Sequence, residues 1–128
     1  MERHKASAYG VEGPNRKIDR YNAALRRLCV EQKISLADFS KVLDDAGGPS
    51  PVISTDGVHL TAEGYRLLAA TFFQAIAGLP EEGDSIVCIG DSLTYGVPLR
   101  TPDRNSDQTY PAQLERMLLR LRLAESRE

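Results

Sequence analysis

The chain has 128 residues, 41% of them hydrophobic, with a formal charge of −2, a sequence pI near 5.7 and two cysteines. That size and composition fit one globular domain with its own core, and its Arg and Lys residues, interspersed with Glu and Asp, leave no basic stripe for nucleic acid. No segment is long and apolar enough to span a bilayer, and no Cys-x-x-Cys spacing or clustered His offers a metal or redox centre, so Cys29 and Cys88 read as buried free thiols.

Residues 1–13 mix charges with Gly10 and Gly13 ahead of Pro14, which predicts a flexible N-terminal segment in which His4 is an ordinary polar residue. The opening MERHKASAYG carries charge where a secretory signal has its apolar core, so the expected compartment is the cytoplasm. From about Asn15 to Gln32, Ile18, Tyr21, Leu25 and Leu28 recur at helical spacing among charged residues and predict a first helix with one apolar stripe. ISLAD, residues 34–38, alternates apolar and small residues and predicts a short strand. In the stretch from 44 to 59, Gly47, Gly48, Pro49 and Pro51 interrupt helix and strand alike and mark a loop.

Thr61 then caps a second helix whose broad apolar face comprises Tyr65, Leu68, Ala69, Phe72, Phe73 and Ile76, with Gly78 and Pro80 closing it. Gly64 stands where a reciprocal capping box has Glu or Gln. After the connector GLPEEGD, the continuous apolar run SIVCIG, residues 85–90, predicts a strand buried on both faces of a parallel sheet. Residues 97–108 form a polar loop, and Tyr110, Leu114, Met117, Leu118 and Leu121 define a third helix that tolerates Pro111 in its first turn. The expected organisation is a single domain over 14–123 followed by a tail at 124–128.

Two stretches carry chemistry. IGDSL delivers Ser92 into a tight turn at a strand end. A serine hydroxyl becomes a useful nucleophile there when a base takes its proton and a backbone N–H faces the developing oxyanion. The ordinary alternative is a turn built from three turn-forming residue types. A phosphate loop would need GxxxxGK[ST] or GxGxxG, and neither is present. In DGVH, Asp56 precedes His59 by three residues, a spacing at which a carboxylate can orient an imidazole and stabilise its charged form. Two residues do not make a metal site, which needs three or four ligands. The helix after His59 runs roughly 24 Å outward and the strand before Ser92 returns roughly 20 Å. That path sets both residues at one rim of the sheet, the carboxyl edge where open α/β folds hold their sites.

These residues resemble the GDSL, or SGNH, hydrolase family. IGDSLTYG matches its Gly-Asp-Ser-Leu motif and DGVHLTAEGYRLLA its Asp-x-x-His motif, and YNAALRRL, LADFSKVL and YPAQLERML look like the surrounding segments. The resemblance implies a partial flavodoxin-like three-layer α/β/α domain with a short parallel sheet, acting on a small-molecule ester without cofactor or metal. It also implies that Ser92 is the nucleophile and, through its backbone N–H, an oxyanion donor, with His59 the base and Asp56 its orienting partner. Two departures stand out. The histidine motif precedes the serine motif, so the order is circularly permuted. The family's glycine block and Gly-x-Asn-Asp block, which complete the oxyanion hole, are not found, since Asn15, Asn22 and Asn105 lack the strand-end context. The resemblance therefore spans about half of the family domain, and the sheet edges it leaves open invite a homo-oligomer or a complementing chain. The competing expectation is a non-catalytic remnant or interaction subunit that pairs through those edges.

Overall fold

The computed structural model describes residues 12–48, 50–80 and 83–127. Among these residues five helices follow one another: α1 (Glu12–Gln32), α2 (Phe39–Asp45), α3 (Ala62–Ile76), the single-turn α4 (Ser92–Tyr95) and α5 (Tyr110–Glu125). The core lies where α3 packs on α5. Leu60, Tyr65, Leu68 and Ala69 meet Tyr110 and Leu114 there, all buried, with Phe39, Ile53, Phe73, Ile76, Met117 and Leu118 packed around them. The Phe72 and Tyr110 rings stack with centroids 5.0 Å apart, an arrangement that adds to simple area burial. The apolar faces of both helices are the ones their periodicity marks.

The ends of these helices follow from their sequences. Thr61 caps α3, its hydroxyl accepting the Gly64 N–H at 3.1 Å while donating to the Val52 carbonyl. The Thr61 N–H donates to the Ile53 carbonyl at 2.9 Å. A side chain at Gly64 would run into that same Ile53 oxygen, which explains why glycine occupies the place a capping box gives to Glu. α1 ends in a Schellman motif. Lys33 takes a left-handed φ of 54°, its N–H donating to the Val30 carbonyl and that of Ile34 to the Cys29 carbonyl.

The expected three-layer α/β/α architecture with a short parallel sheet is not what the chain forms. Among the described residues there is no sheet, and the one β-type pairing is an isolated bridge between Thr101 and Arg104. Segment 34–38 ends as a helix cap: Asp38 accepts the Lys41 N–H at 3.1 Å and takes both guanidinium bonds of Arg26, at 2.6 and 3.0 Å. Those bonds start α2, a helix the sequence reading missed. The run 85–90, suited to burial on both faces, finds no partner strand among the described residues, and Val87 and Ile89 are 75% and 89% exposed. An isolated pair of strands is marginal in water without further strands or a covering helix, so the apolar run remains irregular.

Other expectations shift in smaller ways. α1 begins at Glu12 and α5 runs through Glu125, while residues 1–11 of the expected N-terminal segment lie outside the described residues. Cys29 and Cys88 are free but half-buried rather than buried. No helix among the described residues is long and apolar enough to cross a membrane.

Candidate active site

The loop entering α3 builds a carboxylate–imidazole pair. Asp56 Oδ2 lies 2.8 Å from His59 Nδ1. The other oxygen, Oδ1, accepts the backbone N–H groups of Val58 at 2.8 Å and His59 at 2.7 Å. These bonds stabilise the ionised form and hold the Asp56 carboxyl well below the usual carboxylate range, the His59 side chain contributing most and the two N–H groups next. An ionised carboxylate can only accept, so His59 carries its proton on Nδ1 and a neutral ring turns the Nε2 lone pair outward.

Ser54 holds the loop in this shape. Its hydroxyl donates to the His59 carbonyl at 2.7 Å and accepts the Gly57 N–H at 2.9 Å. Gly57 sits at φ 79°, in the left-handed region where a side chain is strained. Nothing in the spacing of DGVH pointed to Ser54; the signal, in hindsight, is a hydroxyl two residues before an Asp-Gly turn.

Ser92 opens α4. Asp91 is the cap of that turn, its Oδ1 accepting the Leu93 N–H at 3.0 Å. The Ser92 carbonyl accepts the N–H groups of Gly96 and Val97 at 2.9 and 3.1 Å. Gly90 permits the close approach of Thr94, whose hydroxyl would collide with any Cβ there. Thr94 in turn shares a 3.1 Å hydrogen bond with the Tyr110 hydroxyl, tying the serine turn to the start of α5. Among the described residues no hydrogen bond engages the Ser92 hydroxyl or its N–H, and none joins it to His59.

Tyr65 ties α3 to the segment that follows the serine turn. Its ring is fully buried, and its hydroxyl donates to the Val97 carbonyl at 2.6 Å, just beyond the serine turn. Burial, with smaller contributions from the carboxylates of Asp91 and Asp56, pushes its phenol up to about 12. The structure joins Asp56 to His59 directly and ties the segment after the Ser92 turn to α3 through the Tyr65–Val97 bond, and among the described residues no hydrogen bond joins Ser92 to His59. A cavity of about 660 Å³ lies off to one side, between residues 84–88 and α5, lined in part by Ile86, Cys88, Thr109 and Leu118; Asp56, His59 and Ser92 do not line it.

The family model described as GDSL-like Lipase/Acylhydrolase family matches residues 4–67, a stretch that contains Asp56 and His59 and stops short of Ser92. No curated protein and no solved structure matches the chain. With half of its length matched, the chain belongs to the GDSL-like lipase/acylhydrolase family.

Proposed function

We propose that the protein is a serine-dependent ester hydrolase with permuted motifs. Ser92 attacks the carbonyl of a small-molecule ester, His59 takes the hydroxyl proton and returns it to the leaving alcohol, and water then releases the acyl group from Ser92. Asp56 keeps the imidazole in the required tautomer and balances its charge in the transition state. The Ser92 N–H, without a partner among the described residues, donates to the oxyanion. The observation that carries this reading is the 2.8 Å contact between Asp56 and His59 in the loop that enters α3.

Turnover of a p-nitrophenyl ester tests the assignment. Ser92→Ala and His59→Ala each lower kcat by at least about 10³-fold, with a smaller loss in Asp56→Asn. The missing oxyanion blocks set the absolute rate low, since each absent donor costs about 10²–10³. Equal residual rates in wild type and all three variants would defeat the reading. A second reading, a non-catalytic interaction subunit, draws on the lack of a Ser92–His59 hydrogen bond. It predicts that a fully folded wild type shows no turnover above the Ser92→Ala background.

A further inference from the structure

The apolar stripe of α1 faces water along its whole length: Ile18 is 54% exposed, Tyr21 69%, Leu25 50% and Leu28 48%. Among the described residues, the helix pairs in substantial contact are α3 with α5 and α2 with α3. α1 is tethered by the Arg26–Asp38 ion pair near its C-terminal end. Helices in proteins gain most of their stability by packing an apolar face. Something must cover the stripe.

Spacing, charge and surface area indicate what. Positions 18, 21, 25 and 28 step by three, four and three, which is the narrow seam of a coiled coil, not the broader face that α3 buries. In an antiparallel pair, Ile18 meets the partner's Leu28 and Tyr21 meets the partner's Leu25. Lys17 and Glu31 then flank the seam opposite each other on both sides of the axis, while the remaining flanking residues Asn22 and Ala24 bring no like charges together. A parallel pair would set Lys17 beside Asn22 and gain no ion pair. The accessible surface is 9526 Å², where a compact monomer of 14.1 kDa shows about 6,700 Å². Even with every residue outside the described ranges counted at unfolded-chain exposure, an excess on the order of 1,000 Å² remains. One partner in a stable interface buries about 800 Å².

We propose that a second copy of this chain covers the stripe, two α1 helices packing antiparallel about a twofold axis near Ala23. The contact is isologous, so it closes at two copies. Sedimentation velocity on the full chain across a concentration series tests it. A dimer is expected, weakened at least about 100-fold by Leu25→Glu, which removes two apolar anchors and sets carboxylates in the seam. Lys17→Glu alone weakens it by roughly 5- to 30-fold, and adding Glu31→Lys restores it. Near-ultraviolet circular dichroism of the Tyr110 region reports whether the α3–α5 core stays folded in each variant. Should Leu25→Glu unfold, the charge-reversal series decides alone. A chain that is monomeric throughout overturns the proposal. So does a dimer indifferent to Leu25→Glu, including one lost instead in Val87→Lys, and so does a double charge reversal that fails to recover association.

Discussion

Tyr65 is the residue on which the site's geometry turns. Its ring belongs to the α3 core while its hydroxyl spans 32 positions of sequence to the Val97 carbonyl, so packing and positioning meet in one side chain. Tyr65→Phe keeps the ring and removes the bond, at a cost of about 1 kcal/mol in stability. The segment after the serine turn loses its tether to α3, and kcat is expected to fall about tenfold with KM little changed. Alkaline unfolding gives a second readout. A folded-state phenol raised to about 12 stays protonated after the unfolded chain has begun to ionise near pH 10. Its stabilisation is full below that pH and fades as pH rises toward 12; the slope should flatten in Tyr65→Phe. Asp56 works in the opposite sense. Its folded-state pKa is depressed, so its contribution is complete above the unfolded value near 3.9 and lost as pH falls below it. The stability difference between wild type and Asp56→Asn should therefore shrink in acid unfolding below about pH 4. Sequence spacing identified Asp56 and His59 because their contact is local. It gave Tyr65 only a place on an apolar face, because a hydroxyl's partner 32 residues away leaves no periodic trace.

At the scale of elements, the helices with a packed face were legible and the strands were not. α3 and α5 follow their apolar periodicity because each finds the other. Residues 34–38 and 85–90 have strand-like composition, yet a strand exists only in a pair, and no described segment supplies one. Asp38 also escaped notice as a cap: a carboxylate at the end of an alternating run looks like the strand's last residue until Arg26 and the Lys41 N–H claim it. Gly64 offers a sharp test of the junction between loop and helix. Alanine has the better intrinsic helix propensity by about 1 kcal/mol. Its methyl would nonetheless strike the Ile53 carbonyl, so Gly64→Ala is expected to destabilise the protein by about 1–3 kcal/mol in urea unfolding. A gain in stability would show that the loop is free to move aside.

Across the whole molecule, the packed core is the contact of α3 with α5. The loop bearing Asp56 and His59 enters α3, and Thr94 of the Ser92 turn is bonded to Tyr110 at the start of α5, while α1 and residues 85–90 leave apolar surface in water. The account stands on a reactive Ser92 whose hydroxyl is activated by His59. The most direct measurement is intact and peptide-resolved mass spectrometry after treatment with a fluorophosphonate, which captures an activated serine as a covalent adduct. The account predicts one adduct per chain, on Ser92, formed by the wild type and not by a folded His59→Ala variant. A folded wild type that forms no adduct, or an adduct on Ser92 that forms as fast without His59, would contradict it.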